Sequence, residues 1–151
     1  TKVWLEVTTL LIPGHNDSER EVTELSEWMV EKLGPNVPLH FSGFHPNFKM
    51  RDVPATPPAT LRRARDRAMA AGLRYVYVGN THDTEGETTY CPSCREALLV
   101  RDWYELLEYR LTKDGRCPKC QTSIAGRFDA APGNWGRRRL PVNLRSQSQC
   151  L

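Results

Sequence analysis

Four cysteines in two C-P-x-C turns constrain this chain more than any other feature. Cys91, Cys94, Cys117 and Cys120, carried by "YCPSC" and "RCPKC", read C-x2-C-x22-C-x2-C. Two thiolates separated by two residues in a tight turn reach one tetrahedral ion at about 2.3 Å, and a proline after the first cysteine stiffens the turn. The gap between the pairs is slightly longer than the about 15 to 20 residues usual in ribbons. A hairpin that brings the turns together supplies four sulfurs and leaves no open coordination position. The predicted site is therefore closed and structural, with zinc ahead of iron as the ion, and it folds its own subdomain. Two unrelated redox CxxC pairs are the competing reading, disfavoured because a redox CxxC opens a helix after a strand. The chain has five cysteines, an odd count that fits thiolate ligation in a reducing compartment better than a disulfide framework. The fifth, Cys150, reads as an exposed terminal thiol.

At 151 residues the chain has room for one domain, or one domain and a small satellite. It starts at Thr1, and the strand-like run "VWLEVTTLLIP" follows almost at once, which reads as the beginning of a truncated segment. No signal peptide pattern and no apolar run of about 18 residues appears, so the expectation is a soluble, cytoplasmic protein with no membrane partner. The net charge of +3 is mild but uneven, with "RRARDR" on one predicted helix and "GRRRL" near the end. Such an excess does not by itself imply nucleic acid.

Residues 3 to 12 are nearly all apolar or β-branched, with Glu6 the only charge, which suits a strand covered on both faces, as in parallel sheets. "PGHND" turns the chain, and Ser18 with Glu21 forms a capping-box signature for the helix that follows. Val22, Leu25, Met29 and Leu33 give that helix one apolar face, and Gly34-Pro35 stops it. "VPLHFSGF" is the next predicted strand. Thr56 is the predicted cap of a second helix with Pro57 at its first position, lined by Leu61, Ala64, Ala68 and Ala71 and ended by Gly72. "LRYVYVG" is a third strand. Strand, helix, strand, helix, strand describes two crossover units and a parallel sheet, which is more plausible as half of a larger α/β barrel or sheet than as a complete fold.

The polar stretch 80 to 90 reads as a loop and a boundary. The expected organisation is barrel strands and helices over 1–80, a tetracysteine zinc ribbon over 81–126 and an extended basic tail over 127–151. "EALLV" and "YELLEYRL" are the ribbon's strands, with Asp114-Gly115 turning into the second cysteine pair.

In parallel barrels ligands lie at the carboxyl ends of strands. After the first strand come His15, Asn16 and Asp17; in and after the second, His40, Ser42 and His45; after the third, Asn80, His82 and Asp83. Asn16 and Asp17 have a plain role in turn and helix-entry chemistry, and His40 is as readily a satisfied inward histidine as a ligand contact. His45-Pro46 is better placed, since an X-Pro step at a strand end holds an extended loop in which the ring can face a ligand. No Ser/His/Asp set, phosphate-cradling glycine loop or helical metal motif is present, so no complete active site is predicted from these residues.

The stretches "VWLEVTTLLIPGHNDSEREVTELSEWMVEKLGPNVPLHFSGFHPNFKM", "TPPATLRRARDRAMAAGLRYVYVGN", "EGETTYCPSCREALL" and "GRCPKCQTSIAGRFD" together resemble the carboxyl-terminal half of the radical S-adenosylmethionine enzymes of the AmmeMemoRadiSam system. These are in turn similar to pyruvate formate-lyase-activating enzymes. The resemblance runs over residues 1 to about 128 and rests on "IPGHND", "PLHFSGFHP", "YVYVGN" and the paired cysteine turns. It implies a partial (β/α)6 barrel with a 4Fe-4S cluster on a C-x3-C-x2-C loop. There S-adenosylmethionine is cleaved to a 5'-deoxyadenosyl radical that abstracts a hydrogen from substrate. No three cysteines of this chain have that spacing. The expectation is that it binds no such cluster and is inactive unless joined to the missing first half, whose loops also carry the substrate contacts. By resemblance, His45 is the foremost contact to the cofactor's adenine and ribose, followed by Leu10, Ser42 and Asn80.

Two other classes compete. A nucleic-acid-binding ribbon would use its hairpin, "GRRRL" and Trp135, but Glu96, Asp102, Glu105 and Glu108 on the hairpin repel phosphate. A structural or docking module would use the ribbon and tail to hold a protein partner or to cover the barrel's open side.

Overall fold

The computed structural model describes residues 3–133. The basic run 137–139, Trp135 and Cys150 lie outside them. The first half holds β1 (Val7–Leu11), α1 (Glu19–Lys32), β2 (Leu39–Gly43), α2 (Pro58–Ala70) and β3 (Val76–Gly79). The second holds α3 (Thr84–Glu87), β4 (Thr89–Tyr90), β5 (Ala97–Asp102) and β6 (Glu105–Tyr109). β1, β2 and β3 form a parallel sheet in that order, and β4, β5 and β6 a separate antiparallel one. The fold is thus mixed α/β with two small sheets, and the described residues close no barrel.

Both helices pack on one face of the parallel sheet. Val22 and Met29 of α1, Leu61, Ala64 and Ala68 of α2, and Leu11, Leu39, Phe41, Val76 and Val78 of the strands make one buried cluster. Period-two alternation leaves Thr8, Leu10, His40, Ser42, Tyr77 and Gly79 on the opposite, helix-free face. Ser18 caps α1 as expected, with the Glu21 amide donating to Ser18 Oγ at 3.3 Å, but the Glu21 carboxylate accepts from the Ser18 hydroxyl, where a capping box would have it accept from the Ser18 amide. Gly34 then ends the helix at φ +90°.

Three local expectations are corrected. The first strand is shorter than residues 3–12 and is not covered on both faces: Leu10 is 44 % and Leu5 48 % exposed, because β1 is an edge strand with helices on one side only. Thr56 does not cap α2. Its side chain is buried, accepting from the Phe44 amide at 2.9 Å and donating to the Leu11 carbonyl at 2.6 Å, while Pro57 takes the N-cap position. The stretch 80–90 is not a simple loop: Asp83 caps α3, and Gly86, Glu87, Thr88 and Thr89 are buried.

That burial joins the two halves. Tyr75 and Tyr77 at β3 pack into the cluster formed by Cys91, Leu98, Leu99, Cys117 and Ile124. The Ala125 amide donates to Tyr75 Oη at 3.2 Å, and Tyr77 shares a 2.8 Å hydrogen bond with Thr89. The antiparallel sheet therefore covers the β3 side of the helix-free face and leaves the β1 side open.

Candidate metal centre and the open sheet face

The two cysteine turns are built alike. In the first, the Cys91 amide donates to the Glu96 carbonyl at 2.8 Å and the Arg95 amide returns to the Cys91 carbonyl at 3.0 Å. In the second, Cys117 N–H reaches Thr122 O and Gln121 N–H reaches Cys117 O, each at 2.9 Å. The residue after the second cysteine is left-handed in both, Arg95 and Gln121 each at φ 62°, so each turn folds back on its own sulfurs. The Arg116–Ser123 bridge holds the second turn as a small hairpin.

Packing the turns together puts all four sulfurs within 4.8 Å of one another. Cys91 and Cys120 Sγ are 3.5 Å apart, and Cys94 and Cys117 Sγ 3.6 Å. A tetrahedral ion with metal–sulfur bonds of about 2.3 Å spaces its sulfurs about 3.8 Å apart, so the donor set fits a single metal ion. A multi-iron cluster, in which cysteines bind different irons, spreads its sulfurs wider than this cage. Cys91 and Cys117 are wholly buried, and Cys120 lies at the surface.

The cage is electrostatically uneven without its ion. The Thr122 hydroxyl and amide, with the neighbouring thiols, lower Cys120 to about 6. Cys94 is pushed up to about 12: the Glu96 amide pulls it down, but burial and the hydrogen bonds to Cys120, Cys117 and Cys91 outweigh that pull. An ion therefore meets one readily formed thiolate and must displace at least the Cys94 proton.

On the open sheet face, register aligns Leu10 with Ser42 and Ser42 with Gly79, next to Asn80. A Cβ at Gly79 would stand 3.8 Å from Ser42 Oγ, so the glycine keeps this row shallow. Leu10, Ser42 and Asn80 are thus brought to one end of the sheet. Asn80, at φ 61°, donates its side-chain amide to the Gly43 carbonyl at 2.7 Å, which ties β3 to β2. His45 is exposed and lies two residues past β2.

His15 is exposed, and the remaining polar candidates have structural employment. Asn16 accepts from the Ile12 amide at 2.8 Å and donates to the Leu10 carbonyl at 3.0 Å; Asp17 accepts from the Gly14 amide. His40 is paired with Glu6 at 2.8 Å and tilts against Tyr77. His82 contacts Asp102 at 3.1 Å and the Trp103 ring, while Asp83 is buried against Arg62.

Between this face and the β5–β6 hairpin runs a cleft of about 760 Å³. Its walls include Trp4, Glu6 and Tyr77 from the sheet side and Glu87, Arg101 and Trp103 from the other. These were not singled out from the sequence. The strand alternation that exposes His40 would have flagged Tyr77, its register partner, but no sequence signal says where the hairpin folds back.

A protein of Methanocaldococcus jannaschii, "Uncharacterized protein MJ0808", is 46 % identical to this chain over 123 residues, which are 81 % of the chain and 37 % of that relative. The chain thus spans a little over a third of the length of the curated relative it matches. No family model matches the chain, and no solved structure matches it. Among the described residues, no helix is long and apolar enough to cross a membrane.

Proposed function

We propose that this chain is the carboxyl-terminal part of a radical S-adenosylmethionine enzyme of the AmmeMemoRadiSam type, carrying a structural zinc ribbon. The observation that carries the reading is the helix-free face of the parallel sheet, where Leu10, Ser42 and Gly79 align and the outer edge of β1 pairs with no strand among the described residues. In this reading β1, β2 and β3 are the last three strands of a partial (β/α)6 barrel. The exposed Val3 and Leu5 are then covered by the strands of a first half. A relative that is much longer than this chain accords with that arrangement.

The donor set of this chain does not suit the 4Fe-4S cluster, since its four clustered cysteines form one tight cage and none has C-x3-C-x2-C spacing. The cluster, and with it radical chemistry, belongs to the first half. What this chain supplies is wall and orientation: Leu10 an apolar surface, Ser42 and Asn80 hydrogen-bonding groups, and His45 a ring at the mouth, all toward the adenosine side of the cofactor. Zinc in the ribbon holds the hairpin that borders the same face, and a four-thiolate site supports a cytoplasmic, reducing location.

The test joins this chain to its upstream reading frame, reconstitutes iron and sulfide anaerobically and measures 5'-deoxyadenosine from S-adenosylmethionine under reduction. The joined protein is expected to form it and this chain alone to form none. An upstream frame without C-x3-C-x2-C, or a reconstituted protein that cleaves no cofactor, refutes the reading.

A further inference from the structure

The charges lining the cleft are not balanced alike. Glu6 uses both carboxylate oxygens, accepting from Trp4 Nε1 at 2.7 Å and meeting His40 Nε2 at 2.8 Å. Glu87 is buried and accepts the Trp103 amide at 2.6 Å, which pins the hairpin tip. Arg101 differs. One of its terminal nitrogens donates to the Glu87 backbone carbonyl at 2.9 Å, and the guanidinium lies 5.4 Å from the centre of the Tyr77 ring. No carboxylate among the described residues lies within ion-pair distance of it.

The hairpin delivers this cation. Leu99, Arg101 and Trp103 alternate along β5 and into its turn, so all three line the cleft. β6 carries an irregularity opposite Val100–Arg101, and Trp103 turns the chain at φ 54°. A guanidinium anchored at one nitrogen beside an aromatic ring has further N–H groups that a planar anion can engage.

We propose that the cleft between the sheet and the hairpin binds a small organic carboxylate with an aromatic or other planar body, its carboxylate on Arg101 and its ring against Trp4 and Trp103. The cleft's volume is within the range of small-ligand sites. Ser42 and Asn80 line the same cleft, so the ligand would share this face with the cofactor contacts of the proposed function; titrating this chain tests the cleft separately from cofactor cleavage by the joined protein. Because β5 and the cysteine turns share one packed cluster, metal in the cage positions Arg101.

The experiment titrates the full zinc-loaded chain with indole-3-acetate, neutral indole and inorganic phosphate, following the Trp indole N–H signals and the Arg side-chain N–H signals by NMR. Indole-3-acetate is expected to shift the Trp4, Trp103 and Arg101 signals together. It should bind about tenfold or more tightly than indole, and Arg101→Gln should remove that advantage. Phosphate shifting Arg101 alone identifies the anion subsite without the ring subsite and overturns the carboxylate assignment. Equal binding of indole and indole-3-acetate overturns it too, as does no shift with any probe at about 10 mM. Arg101→Lys separates geometry from charge: retained tight binding overturns the planar fork. Zinc content serves as the folding check for each variant. Stripping the metal from the wild-type chain is expected to abolish binding, and full binding by the stripped chain overturns the coupling to the cage.

Discussion

Thr56 is the best single probe of how the site end of the parallel sheet is held. Its hydroxyl is buried between two strands, donating to the Leu11 carbonyl at 2.6 Å and accepting from the Phe44 amide at 2.9 Å; its own amide donates to the Phe44 carbonyl at 3.0 Å. Thr56→Val keeps the shape and removes the hydroxyl. Phe44 N–H then loses its acceptor and the Leu11 carbonyl a donor, both where Leu11 is 1 % and Phe44 7 % exposed. At about 1–3 kcal/mol for each of the two buried groups left without its partner, the expected loss is about 2–6 kcal/mol. Thr56→Ser keeps both bonds and costs about 1 kcal/mol for the lost methyl. Thr56→Asn separates this role from helix capping. Asparagine caps at least as well as threonine, so a capping role predicts no loss, whereas the buried inter-strand site has no room for the larger amide. Urea unfolding gives the stabilities, and hydrogen exchange at the Phe44 amide gives the local effect, protected in the wild type and fast in Thr56→Val. A Thr56→Val protein as stable as Thr56→Ser, or a Thr56→Asn protein as stable as wild type, would show that the stitch does not hold the strands.

Other outcomes follow from the ribbon and its junction. Cys117→Ser, which puts a poor ligand into a fully buried corner of the cage, should lower bound zinc from one ion per chain to none by elemental analysis. Zinc should also expel at least the proton of Cys94, pushed up to about 12, so apparent affinity should rise with pH; an affinity unchanged across the neutral range would exclude this cage as the site. For Asp83, burial raises the carboxyl, but the Arg62 and Gly86 N–H bonds outweigh it and hold the pKa below its ordinary value. Its stabilisation is therefore fully present above the unfolded value of about 3.9 and is lost as pH falls through the lower folded value. Asp83→Asn should flatten that acid limb in thermal melts, and an unchanged limb would remove Asp83 as its cause. Gly86→Ala should cost about 1–3 kcal/mol in urea unfolding, because its Cβ would stand 2.4 Å from Val78 Cγ2 in the packed junction between β3 and α3; a neutral substitution would mean that junction is loose.

If the cleft takes an anionic ligand, the cysteine cage gains a role that a closed metal site lacks alone. Glu87 joins the two: its carboxylate holds the hairpin tip, and its carbonyl holds Arg101. Metal would then act on binding by fixing the wall of the cleft, without touching the ligand.

The sequence by itself determined what short-range chemistry decides. Two-residue spacing with proline makes each cysteine turn close on itself, so the four-sulfur cage was legible before any coordinates. Apolar spacing of three and four placed Val22 and Met29 inward, Ser18 and Glu21 started α1, and alternation put Leu10 and Ser42 on the same side of adjacent strands. Tertiary structure alone decided which groups from distant segments meet. Thr56 carries the same local signal whether it caps a helix or joins β1 to β2, and only the approach of Leu11 and Phe44 selects the second. Tyr75 and Tyr77 read as ordinary strand residues, yet become the surface on which the ribbon packs. Arg101 reads as a hairpin charge, yet it lies over Tyr77 because the half-buried, four-residue α3 pins the hairpin against the sheet through Glu87. Such contacts depend on the shape of surfaces separated by tens of residues, and local propensity carries no record of them.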